Sequence, residues 1–189
     1  MASHLQEASA KFLEKSEIWR FEIETDFAVK NVADYPIFLP SSEAVLENVF
    51  EIVLDGKVIS RVSDRHLNST TFTTNSCPQY YSIYQDASIK FYPTPDKKYT
   101  FRGSGVLKTK LTATGVEDWI FESHGRCISY GAIAQLTSVP GKEWSNPELS
   151  MYYRQKFAKE ADDAKSRDYR RVGARVRGPN FAGNRRGAY

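Results

Sequence analysis

The apolar positions of this chain follow three successive rhythms. Leu5, Ala8, Phe12 and Leu13 recur at helical spacing, with Glu7, Lys11 and Lys15 between them. This predicts a short amphipathic helix ending near Ser16. From Trp19 to Phe27 apolar and polar residues alternate, the mark of a strand with one buried face. Asp34-Tyr35-Pro36 reads as a break, and Ile37-Phe38-Leu39-Pro40 as a short extended piece. Val49 to Leu54 and Lys57 to Ile59 flank Asp55-Gly56. Asp-Gly between two such runs predicts a hairpin with a type I′ turn, which needs positive φ at both central residues. Asn68 to Ser76 reads as a loop with a short strand near Thr71 to Thr74. Strands are expected at Tyr80 to Tyr84, Ile89 to Pro93 and Tyr99 to Leu111, with a turn at Gln85-Asp86-Ala87. Together, Trp19 to Leu111 reads as a meander of antiparallel strands.

The period then lengthens. Glu117 and Asp118 suit a helix first turn. Ile120, His124, Cys127, Ile128, Gly131, Ala132 and Leu136 share one face, and Pro140-Gly141 stops the helix. Trp144-Ser145-Asn146-Pro147-Glu148 starts the next one, with Ser145 as the expected cap, Glu148 closing a capping box and Trp144 placed as a staple. Leu149, Tyr152, Tyr153, Phe157, Ala161 and Ala164 form its expected buried stripe, which fails after about Arg171. The remaining stretch, glycines among arginines, reads as an arm without apolar periodicity.

The fold class is therefore α+β: a small helical bundle with an antiparallel β-rich domain inserted after the first helix, and an extended C-terminal arm. The expected division is 1–17 and 116–171 for the bundle, 18–115 for the β-rich domain and 172–189 for the basic arm.

Charge changes this picture at one place. The net charge is +3, but Tyr169 to Tyr189 holds six arginines and no acid, so removing those six from +3 leaves −3 for residues 1–168. A mildly acidic body with a basic end is a signal about partners. The six are Arg170, Arg171, Arg175, Arg177, Arg185 and Arg186. At the level of residues three destinations stay open: nucleic-acid phosphate, solvent, or an acidic crevice on a protein.

No constellation for catalysis stands out. The chain lacks a phosphate loop, a Gly-x-Ser-x-Gly elbow and a His-Glu-x-x-His motif. His4, His66 and His124 are scattered, so neither a metal nor a cofactor site is expected. His124, on the apolar helix face, reads as a structural histidine. Cys77 and Cys127 read as two free thiols of a reducing compartment. No run of about 18 apolar residues exists, so no membrane span is expected. Met1 to Leu5 shows no basic stretch before an apolar block, and no signal peptide is expected. Tyr80, Tyr81 and Tyr84 leave room for an alternative, a single-stranded nucleic-acid-binding module that uses an aromatic sheet and the arginine arm.

An ordered series of short pieces adds to this reading. They are Lys15-Ser16-Glu17-Ile18-Trp19-Arg20; Leu54-Asp55-Gly56-Lys57-Val58; Pro78-Gln79-Tyr80-Tyr81; Ile89-Lys90-Phe91-Tyr92-Pro93-Thr94-Pro95-Asp96; Gly131-Ala132-Ile133-Ala134-Gln135-Leu136; and Lys142-Glu143-Trp144-Ser145-Asn146-Pro147-Glu148-Leu149 leading to Tyr152-Tyr153-Arg154-Gln155-Lys156-Phe157. In this order the chain resembles the head-to-tail adaptor proteins of podophages and related tailed phages, also called tail tubular or gatekeeper-ring proteins. The resemblance implies a non-enzymatic virion protein, assembled in the host cytoplasm, that forms a dodecameric ring between the portal protein and the tail tube or nozzle protein. It implies that genomic DNA passes through the lumen without sequence-specific binding. It also implies that the C-terminal arm reaches the portal, which makes Arg170, Arg171, Arg175, Arg177, Phe181, Arg185, Arg186 and Tyr189 the expected portal-binding residues.

Overall fold

A computed structural model describes residues 2–63, 74–84 and 87–176. Helix α1 (Ala2–Ser16) leads into β1 (Arg20–Ala28), β2 (Asp34–Pro36), β3 (Ala44–Leu54), β4 (Lys57–Arg61), β5 (Tyr80–Ile83), β6 (Ser88–Tyr92) and β7 (Tyr99–Thr109). Helices α2 (Asp118–Thr137) and α3 (Pro147–Val176) follow. The architecture is α+β, as the changing period implies.

The strands form one sheet in the order β1-β7-β3-β4-β5-β6-β2. This is not the expected meander. The last strand, β7, pairs antiparallel with both β1 and β3, and β4 and β5 run parallel through Ser60↔Tyr80 and Arg61↔Tyr81. A parallel neighbour requires a long return path, and residues 62–79 supply it. Of the strand expected at Thr71 to Thr74, the first three residues lie outside the described residues and Thr74 is a bend; Gln85 and Asp86 of the expected turn also lie outside them, and Ala87, its third residue, has φ 59. Asp34-Tyr35-Pro36, read as a break, is an edge strand paired with β6. Proline is tolerated there because an edge leaves one row of N–H groups unpaired. The Tyr35 hydroxyl ties the preceding turn together, accepting from Val29 N–H at 2.7 Å and donating to the Val32 carbonyl at 2.8 Å.

Strand β3 begins five residues before the alternation does, at Ala44 rather than Val49. Its register against β7 shifts between Leu46 and Asn48 and again between Val49 and Glu51. Each shift turns the following side chains to the opposite face and erases period two. Opposite these irregularities β7 carries two glycines that crowding demands. A Cβ on Gly103 would stand 2.5 Å from Ile52 Cδ1 and 2.7 Å from the Glu51 carbonyl oxygen. One on Gly105 would stand 2.7 Å from the Phe21 ring and 3.0 Å from the Asn48 carbonyl oxygen. Glycine in a strand interior marks such a close approach.

Two buried clusters result. One fills the sheet, with Ile52, Tyr81, Ile89, Phe91 and Phe101 among its members, and the rings of Tyr35, Phe91 and Phe101 pack edge on and tilted at 5.3–5.6 Å. The other gathers Phe12, Leu13, Trp19, Leu107, Ile120, Ile128 and Ala161 around the helices. Phe21, Leu39 and Leu46 pack against both. In the helical part α2 lies between α1 and α3. Gly131 marks the tightest crossing, where a Cβ would meet the Phe157 ring at 2.9 Å and Ala8 Cβ at 3.1 Å. Cys127 is buried beside it with Sγ 3.6 Å from the Phe157 carbonyl oxygen, and burial pushes its thiol up to about 12. Cys77 is exposed.

Three details of α3 depart from the sequence reading. Its cap is Asn146, whose Oδ1 accepts the Leu149 N–H at 3.0 Å, and not Ser145. Asn146 directly precedes Pro147, which puts its side chain one position closer to the third helical N–H. Trp144 is 55% exposed and does not staple the helix start. Of the expected stripe, Ala161 and Ala164 are buried and Tyr153 and Phe157 half-buried, whereas Leu149 and Tyr152 face solvent. The helix also continues past Arg171 to Val176, so the basic stretch begins as helix.

Asp55 at φ 45 and Gly56 at φ 83 confirm two left-handed residues at the hairpin tip. Gly56→Val, with a branched side chain at positive φ, is expected to cost about 1–3 kcal/mol in urea unfolding. Phe157→Ala is expected to destabilise the isolated chain by about 2–3 kcal/mol, below the range for a fully buried ring because Phe157 is only half-buried. An isolated chain of unchanged stability would assign that ring to a contact with another chain. With an aromatic disulfide reagent at pH 8, Cys77 is expected to react at once and Cys127 only on unfolding, since a thiol pushed up to about 12 supplies almost no thiolate there. Fast reaction of both thiols would contradict the burial.

Candidate assembly surface

The expected site residues fall on both sides of one boundary. Arg170 and Arg171 are exposed on α3, and Arg175 lies in the same helix. Arg177, Phe181, Arg185, Arg186 and Tyr189 lie outside the described residues. The structure therefore places the first of these arginines on a helix, and the helix determines their direction.

What anchors that helix end was not foreseen from the sequence. Lys165 Nζ lies 2.8 Å from Glu17 Oε1, and the Tyr169 hydroxyl donates to Glu17 Oε2 at 3.1 Å. Arg20 Nε lies 2.6 Å from Asp168 Oδ2. The Arg20 guanidinium also stands 4.7 Å from the Phe50 ring centre and 5.0 Å from that of Tyr169, so it sits between two aromatic faces. The only local hint was spacing. Lys165, Asp168 and Tyr169 share a helix face, and Glu17 and Arg20 lie three apart around the end of α1. One further ionic contact, Lys15 to Asp162 at 3.3 Å, joins α1 and α3 higher up.

The rest of the surface carries apolar side chains in separate places. Trp144, Met151 and Tyr152 are exposed around the start of α3. Leu5 and Phe121 border a groove of about 200 Å³, lined also by Ala113, Val116 and Ile128, into which α1 and the segment before α2 both face. Thr109 contributes to that lining, and its buried hydroxyl has no hydrogen-bond partner among the described residues. On the sheet side, Phe38 is 83% exposed between Pro36 and Pro40.

His124 is half-buried, its ring 5.0 Å from that of Phe12. Burial, reinforced by the Arg167 charge, holds its pKa below the ordinary value and so favours the neutral ring. Among the described residues no three His, Cys, Asp or Glu side chains converge as a metal site would need. No helix among them is long and apolar enough to cross a membrane. Of the three tyrosines that a base-stacking platform would use, Tyr81 is 2% exposed, and Tyr80 and Tyr84 are half-buried.

No curated protein matches the chain. The family model described as SU10 adaptor protein matches residues 2–179, which takes in all three helices, the whole sheet and the first arginines of the basic end. The chain is α+β, carries exposed apolar side chains in several places and exposes Arg170 and Arg171 on α3, and it belongs to the SU10 adaptor protein family of phage adaptors.

Proposed function

We propose that this adaptor closes a ring, a dodecamer, at the head-tail interface of a phage virion, between the portal protein and the tail tube or nozzle protein. The observation that carries this reading is the position of the exposed apolar side chains. Trp144, Met151 and Tyr152 lie at the α2–α3 end, whereas the groove beside Leu5 and Phe121 lies across α1. Two different apolar surfaces on one chain favour head-to-tail contacts between copies, and such contacts close a ring when the rotation permits. A large apolar side chain left in water favours a partner that covers it.

In this reading the helices, 1–17 with 116–171, build the ring, and residues 18–115 form the β-rich domain that meets the tail. The two buried clusters support such a division, although they share Phe21, Leu39 and Leu46. The basic end from 172, with Arg170 and Arg171 before it, docks on acidic groups of the portal. The charge of −3 on residues 1–168 suits a lumen through which DNA passes, because an acidic wall does not hold phosphates. Assembly takes place in the host cytoplasm and the product is a virion component without enzymatic activity. For the nucleic-acid-binding alternative the sheet offers little support, since Tyr81 fills the core and only Tyr80 and Tyr84 keep partial exposure.

Truncation after Val176 tests the arm. It leaves α3 whole, so the melting temperature is expected to stay within a few degrees of the full chain. Binding to portal rings, followed by sedimentation, is expected to be lost. Full-affinity binding by the truncated chain would refute the arm's role. Native mass measurement of the full chain with and without portal gives the ring size.

A further inference from the structure

Ala164 is the last residue of α3 in either buried cluster among the described residues. From Lys165 to Arg171 the contacts that fasten the helix among the described side chains are ionic and aromatic: Glu17 to Lys165 and Tyr169, and Arg20 to Asp168, Tyr169 and Phe50. The charged side chains retain 21–35% exposure overall, although Arg20 Nε, Arg20 Nη2 and Asp168 Oδ2 are themselves buried, so solvent ions screen the Glu17–Lys165 pair more directly than the Arg20–Asp168 pair.

Glu17 is an unlikely residue for its place on local grounds. It sits at the C-terminal end of α1 with φ 53, the left-handed conformation that glycine adopts most cheaply. A carboxylate there also faces the negative end of the helix dipole. Against these local costs stand the Glu17 N–H bond to the Leu13 carbonyl at 2.9 Å and the contacts of the carboxylate with Lys165 and Tyr169. The second fastening is also imperfect. Arg20 Nε and Asp168 Oδ2 are close but off the hydrogen-bond direction, and Arg20 Nη2 is buried without an acceptor among the described residues. Opening would hydrate all three atoms, which lowers the cost of release.

We propose that Glu17, Arg20, Lys165, Asp168 and Tyr169 form a salt-sensitive latch. Closed, it holds the end of α3 against the α1–β1 junction. Open, it frees the helix beyond Ala164 together with the arginines that follow. Glu17 directly follows α1 and Arg20 begins β1, so release also loosens the joint between the helices and the sheet. A protein that draws the arginines away therefore alters the restraint at the root of the sheet. The latch stands apart from the identity of the arm's partner and is tested on the full chain alone.

Hydrogen–deuterium exchange of the full chain is the experiment, comparing amides of 165–176 with those of α2 and β7. Raising NaCl from about 0.05 M to about 1 M is expected to speed exchange at 165–176 by about tenfold and to leave α2 and β7 unchanged. Glu17→Gly is expected to give the fast rate already at low salt without lowering the melting temperature, because glycine suits the left-handed cap. Glu17→Lys and Lys165→Glu are each expected to open the latch, and the double exchange to restore protection. Protection at 165–176 that ignores both salt and Glu17→Gly would overturn the proposal. So would a Glu17→Gly chain that exchanges faster everywhere, since the contacts would then belong to the global fold.

Discussion

Everything in this fold depends on one strand passing between two others. β7 is the last strand made, yet it lies between β1 and β3, and its two halves serve different cores. Tyr99 and Phe101 point into the sheet cluster, and Leu107 into the helical one. The passage is possible because Gly103 and Gly105 let β7 approach the Glu51 and Asn48 carbonyls and the side chains of Ile52 and Phe21. Side chains at those positions would push the three strands apart where the register of β3 shifts. The helical part inherits its position from the same strand: the Leu107 N–H donates to the Trp19 carbonyl at 2.8 Å and fixes the junction at which α1 gives way to β1.

Where structure follows from neighbours in the chain, the sequence was readable. The hairpin at Asp55-Gly56 needs only two left-handed residues, and its signal is local. The apolar face of α2 came through because Ile120, Cys127 and Ile128 all meet the core on a regular helix. Where structure follows from distant partners, it was not. The bulges of β3 break the alternation that would have revealed its first half. The parallel pairing of β4 with β5 leaves no local trace. Trp144 and Tyr152 are apolar enough to read as core, and nothing in a single chain distinguishes a ring that meets its own core from one that meets another molecule. The basic end was visible as composition, but the contacts that hold the helix beneath it were not, because they pair residues about 150 positions apart.

The two parts of the molecule are stabilised by different means, and this bears on how an adaptor works. The sheet is secured by interdigitated aromatic rings and by crowding that tolerates little displacement. The outer end of α3 is fastened by ions and ring faces, whose strength changes with the solution and with nearby charge. A chain that joins two assemblies gains from this contrast. One region keeps its shape against load, and another adapts to the surface it meets.

The placement of β7 has a further consequence during synthesis. Arg20 pairs with Val106, so β1 leaves the ribosome long before its partner exists. At ordinary elongation rates the wait is on the order of ten seconds. Through that interval β1 and β3 have one unfilled slot between them, and α1 lacks the helices that cover it. Unpaired strand edges of this kind attract other nascent chains. Productive folding thus waits until β7 and the helices after it have been made, and crowded polysomes, or a host short of chaperones, would lower the yield of adaptor before any question of assembly arose.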